Sequence, residues 1–93
     1  MYSVYFSNRY RKLYRKVLRR RDFNLGILNG VIDALMEGED LDLSYKDHNL
    51  KGTLLEFREC HLARDLLLVY RVNKKNNLIV FDYIGTHSGL FGR

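Results

Sequence analysis

Ninety-three residues suffice for one small domain whose core removes about 60–65% of the extended chain's surface from water. At 46% hydrophobic and 29% charged residues, the composition is that of a globular chain and not a disordered one. No apolar run approaches the ~20 residues that cross a bilayer, and Met1 to Phe6 lacks the basic flank of a secretion signal. Cys60 stands alone, which excludes an internal disulfide and a cysteine-based zinc site and points to the cytoplasm. The net charge is +5, and eight of the sixteen basic residues fall between Arg9 and Arg21. Such a block suits a solvated helix face, a polyanion or an acidic protein partner.

Tyr2, Val4 and Phe6 alternate with other residues, so the spacing predicts a first strand over 2–6. Ser7 or Asn8 caps a helix whose apolar stripe is Tyr10, Leu13, Tyr14, Val17 and Leu18, with arginines and lysines on its other faces. Asp22 or Asn24 opens a second helix with the stripe Leu25, Leu28, Val31, Ile32, Leu35 and Met36, and Gly38 ends it. Gly26 and Gly30 are expected to let the two helices of this hairpin approach closely. The acidic stretch from Glu37 to Asp42 lacks the ligand spacing of a calcium loop and reads as solvated.

Three strands follow, at about 53–62, 65–72 and 78–84, and their short connections predict an antiparallel meander. The middle strand is apolar on both alternations. The helices cover only one face, so the other needs the C-terminal tail, a deep cleft or a bound partner. The fold class is therefore α+β: an N-terminal strand and a helical hairpin packed on an antiparallel β-sheet, in a single domain over 1–93.

The chemistry concentrates around Glu59-Cys60-His61-Leu62-Ala63-Arg64-Asp65. A three-residue loop of Leu62, Ala63 and Arg64 would set His61 opposite Asp65 with Cβ atoms ~5 Å apart, and Glu59 on the same face. His48 and His87 also lie in turn-rich stretches. A histidine cluster can supply one imidazole as base and another as acid. That division suits RNA cleavage, in which a 2′-hydroxyl loses its proton, attacks phosphorus, and the departing 5′-oxygen is protonated. Lys46, Lys51, Arg58 and Arg64 are candidates to stabilise the charge that builds on the phosphate. Three imidazoles and a carboxylate also make a legitimate zinc set, but no His-x-His or His-x-x-x-His spacing is present, and metal-free chemistry is favoured. Cys60 has the opposite strand parity and reads as a buried, inert thiol.

Tyr45-Lys46-Asp47-His48, Leu50-Lys51-Gly52, Phe57-Arg58-Glu59-Cys60-His61, Asp65 and Gly85-Thr86-His87-Ser88-Gly89-Leu90-Phe91-Gly92, in that order, resemble the YafQ-type branch of the RelE/ParE toxin superfamily. The likeness spans essentially the whole chain. It implies a RelE-like microbial RNase-type fold and a cofactor-free, metal-free mRNA interferase that cuts messenger RNA in the ribosomal A site. By motif match, His48, His61, Asp65 and His87 form the catalytic cluster, with Glu59 where relatives often have Asp. His87 is expected to be the general acid, with Asp65 keeping a neighbouring imidazole charged. Phe91 matches an aromatic that orients the substrate base, a stacking contact worth ~1–3 kcal/mol, or else anchors the tail. Tyr83 stands where relatives often carry a phosphate-binding arginine, which leaves Arg58, Lys46 or the ribosome to supply that cation. The resemblance also implies a ribbon-helix-helix antitoxin of RelB/DinJ type whose disordered tail folds on the toxin, with operator DNA bound through the complex. The alternative is a toxin of the same fold without RNase activity, acting by protein binding as gyrase inhibitors do.

Overall fold

The computed structural model describes residues 1–50 and 56–90. Lys51, Phe91 and the start of the strand expected at 53 lie outside the described residues. In chain order the elements are β1 (Ser3–Phe6), α1 (Asn8–Val17), α2 (Leu25–Met36), β2 (His48–Asn49), β3 (Arg58–Ala63), β4 (Leu66–Asn73), β5 (Leu78–Gly85) and a terminal turn of helix, α3 (His87–Leu90).

Capping explains the helix ends. The Ser7 side chain accepts from Tyr10 N at 3.0 Å, and Asn24 Oδ1 accepts from Ile27 N at 3.2 Å. Gly38, at φ 76°, closes α2 in a left-handed turn. Its N–H donates to Leu35 O while the Glu39 N–H donates to Ala34 O, the paired bonds of a Schellman motif. Gly26 and Gly30 do not join the helices: both are exposed, and a side chain at Gly30 would meet open space. The helices are set apart by a groove of about 430 Å³ lined by Tyr10, Arg11, Tyr14, Leu28 and Ile32 among others.

The strand order is β1-β5-β4-β3-β2. The expected meander β3-β4-β5 is antiparallel, and β1 joins its edge in parallel with β5, so the sheet is mixed. Helices α1 and α2 cover one face, where Tyr10, Val17, Leu28, Val31 and Leu35 pack on Leu68, Tyr70, Ile79 and Phe81. On the other face Leu50, Val69 and Tyr83 form a smaller cluster with Phe57 and Leu90. The chain's own last turn thus covers part of the second apolar face.

Two bulges set which side chains reach that second face. The turn between β3 and β4 is Arg64-Asp65, two residues and not three, and Leu62 is the extra residue of a bulge. His61 therefore opposes Leu67, and Ala63 opposes Leu66; the expected pairing of His61 with Asp65 does not occur. On β5, Tyr70 faces Phe81 and Val69 faces Tyr83, which leaves Asp82 as the extra residue. A bulge re-aims the side chains beyond it. Phe81 enters the helix-side core, whereas Tyr83, two residues on, joins the opposite face.

Candidate active site

Directly opposed residues of neighbouring strands share a face. One row across the sheet reads His48, Glu59, Val69, Tyr83, and the next reads His61, Leu67, Gly85. Both rows lie on the face turned away from α1 and α2. This places His48, Glu59 and His61 together, although β2, which carries His48, is only two residues long.

Glu59 is 4% exposed, and its Oε2 lies 3.0 Å from His48 Nε2. A carboxylate removed from water requires such a partner. Its other oxygen, Oε1, is buried with no hydrogen-bond partner among the described residues. His48 Nδ1 lies 2.6 Å from the Lys46 carbonyl, which only accepts, so that nitrogen carries hydrogen. Lys46 presents this carbonyl from a left-handed conformation at φ 52°. The His61 ring lies 6.4 Å from the His48 ring. Lys46, His61 and Arg64 line one groove of about 410 Å³ with Tyr45, Leu62 and Ala63.

Asp65 contributes differently from the sequence expectation. It sits in the turn, where its Oδ1 accepts from the backbone N–H of His87 at 3.3 Å and fixes the start of α3. From below, the Tyr83 hydroxyl donates to Thr86 O at 2.6 Å, and Thr86 Oγ1 accepts from Gly89 N at 3.0 Å. Gly89 permits this close approach, since a Cβ there would lie 2.7 Å from the Tyr83 oxygen. His87 is thus held on a turn clamped by Asp65 and Tyr83.

Arg58 opposes Tyr70 and so belongs to the helix-side row, away from the histidines. Its Nη2 lies 3.0 Å from Asp47 Oδ2, a second arm reaches Asn49, and the Tyr70 hydroxyl donates to Asp47 Oδ1 at 2.6 Å. Burial first, and then the bond to Asp47, push the Tyr70 phenol far above its ordinary range, so it remains a neutral donor. The Asp47–Arg58–Tyr70 bridge ties the loop before β2 to the sheet. It was not legible from the sequence, where Asp47 appears only within Tyr45-Lys46-Asp47-His48.

Cys60 is fully buried, and burial, reinforced by the Asp47 and Glu59 charges, pushes its thiol up to about 12. Below that value it stays protonated. At pH 8 the native protein is expected to resist iodoacetamide and to label fully only when unfolded, as intact mass measures. Among the described residues no three His, Cys, Asp or Glu side chains gather as a metal-binding group. Sequence reasoning missed Arg9, whose guanidinium lies over the Tyr83 ring, 4.9 Å from its centroid. Inside a basic run nothing distinguishes it.

Solved structures with this arrangement of helices and sheet include bacterial toxins. A metal-bound toxin from Helicobacter pylori is 40% identical at a TM-score of 0.90, covering 98% of this chain and 100% of that one. The toxin chain of the Escherichia coli DinJ-YafQ complex is 27% identical at a TM-score of 0.86, covering 99% of this chain and 100% of that one. The mRNA interferase toxin YafQ of Escherichia coli strain K12 is 31% identical over 91 residues, 97% of this chain and 96% of the relative. The family described as "Bacterial toxin of type II toxin-antitoxin system, YafQ" matches residues 2–92, and the chain belongs to that family.

Proposed function

We propose that this toxin is an mRNA interferase, an endoribonuclease that cuts messenger RNA on the ribosome by metal-free acid–base catalysis. The observation that carries the reading is the Glu59–His48 contact with the His61 ring beside it, on the sheet face away from α1 and α2. Both ring nitrogens of His48 already face acceptors, so His48 orients the site and His61 takes the proton from the 2′-hydroxyl. The 2′-oxygen then bonds to phosphorus and the bond to the 5′-oxygen breaks. His87, presented by the Asp65-anchored turn, gives that oxygen its proton. Lys46 and Arg64 bind RNA phosphates at the groove, and Lys51 and Phe91 contact RNA from outside the described residues. Arg58 keeps the loop of His48 in place.

The name of the Escherichia coli relative and the chemistry of the histidine face support this reading. The solved complex of a relative with its antitoxin DinJ supports a cognate ribbon-helix-helix antitoxin here, with operator DNA bound through the complex. No helix among the described residues is long and apolar enough to cross a membrane. In this reading the chain is one toxin domain over 1–93 that acts where ribosomes translate, in the cytoplasm. Two solved toxin structures from Helicobacter pylori are metal-bound. Among the described residues of this chain no three His, Cys, Asp or Glu side chains gather as a metal-binding group.

Primer extension on a message, translated and free, tests the proposal. Codon-phased cuts on the translated message alone, unchanged when the toxin has been stripped with EDTA and dialysed before it meets the ribosomes, are the expected result. Cuts on free RNA, or loss of cleavage by the stripped toxin, would overturn it.

A further inference from the structure

A phosphate under attack gathers charge on its non-bridging oxygens and needs a cation aimed at them. The basic residues near the histidines leave part of the face unserved. Arg58 is bonded to Asp47 and Asn49 on the helix-side row. Lys46 and Arg64 line the groove beside His61. Between His61 and His87 the floor is Leu67, Val69 and Tyr83, all buried and none of them charged. That gap is two strands wide, ~10 Å between Cα atoms of the outer rows, and with His61 as base and His87 as acid the scissile phosphate spans it.

One cation does reach this floor. β1 stops at Phe6, opposite Phe81, so the last residues of β5 have no strand on the side away from β4 among the described residues. The start of α1 occupies that open edge: Ser7 N donates to Phe81 O at 3.0 Å, and Ser7 Oγ to Asp82 O at 3.3 Å. Arg9, in the first turn of α1, reaches round the edge to lie over Tyr83, which the Asp82 bulge has turned onto the site face. No carboxylate lies within ion-pair distance of Arg9 among the described residues. The Tyr83 hydroxyl donates to Thr86 O, next to His87, so the guanidinium over the Tyr83 ring lies on the His87 side of the site.

We infer that Arg9 is the phosphate-binding cation of the reaction, its guanidinium seated over Tyr83 and its N–H groups turned to the non-bridging oxygens. Contact with the aromatic face steadies the guanidinium, whose fork can meet two oxygens, which a lysine ammonium reproduces only as a point charge. Tyr83 then serves twice, as the platform for Arg9 and as the strut beneath Thr86. The inference rests on the interferase reading above.

The test is single-turnover cleavage on saturating programmed ribosomes, with wild type, Arg9→Ala and Arg9→Lys, and Arg19→Ala as a charge-matched change beyond the far end of α1. Arg9→Ala is expected to lower the maximal rate by about 10²–10³, the cost of one transition-state donor, with ribosome affinity no weaker than for Arg19→Ala. Arg9→Lys is expected to recover about a tenfold part of the loss. A rate for Arg9→Ala within about threefold of wild type overturns the inference, and so does a loss confined to affinity, or a lysine no better than alanine. Either of the last two would make Arg9 an ordinary surface charge or a packing residue. In all these cases wild type still cuts the translated message, so the interferase reading stands. Only a wild type that makes no cut brings down both.

Discussion

Replacing His61 with alanine is expected to slow single-turnover cleavage by about 10²–10⁴, the usual contribution of one positioned acid or base. His61 is proposed as the base because His48 beside it has an acceptor at each nitrogen. It is partly exposed and opposes Leu67 on the sheet surface, so its loss opens no cavity in the helix-side core. The thermal midpoint is therefore expected to stay close to wild type while activity falls. His87→Gln should cost as much, because glutamine keeps the backbone bond to Asp65 but cannot deliver a proton. The double variant should lose less than the product of the two, as groups acting in one step do. Cleavage by His61→Ala within tenfold of wild type would place the base elsewhere.

Phe81→Ala is expected to destabilise the fold by about 3–5 kcal/mol. Phe81 is fully buried, with its ring 5.3 Å from Phe6, 6.2 Å from Tyr10 and 6.1 Å from Tyr70. Truncation leaves a void where β1, α1 and two central strands meet, and such a packed core collapses only partly around it. Set against a total of roughly 5–14 kcal/mol for a chain of this length, the change is about a fifth of the whole or more. The site feels it too, because Phe81 immediately precedes the bulge that turns Tyr83. Urea unfolding of the free toxin measures the effect directly, as bound antitoxin would mask it by mass action. A loss below about 1 kcal/mol would contradict this picture of the core.

The elements were legible because their periodicities were strong and their caps explicit: Ser7, Asn24 and Gly38 all act where the pattern placed them. That Glu59 and His61 share a face followed from their spacing alone. The register between β3 and β4 was not legible. Leu62 and Ala63 look alike to a pattern reading, and a bulge at Leu62 shortens the turn and moves Asp65 from the partner of His61 to the anchor of His87. Nor could alternation show that Phe81 and Tyr83 face opposite ways, since the Asp82 bulge breaks the period between them. Glu59 meets His48 through a strand of two residues, too short to leave a pattern. Gly26 and Gly30 misled for the reverse reason: their spacing signals contact, yet both face outward.

The most direct measurement replaces the nucleotide 5′ to the cleaved bond, in a ribosome-bound message, with its 2′-deoxy form. Attack by that nucleotide's own 2′-oxygen predicts that cleavage at the modified position stops while other sites are still cut. The unmodified message should yield a 2′,3′-cyclic phosphate and a 5′-hydroxyl. Cleavage continuing at the deoxy position, with a 5′-phosphate on the downstream product, would contradict it.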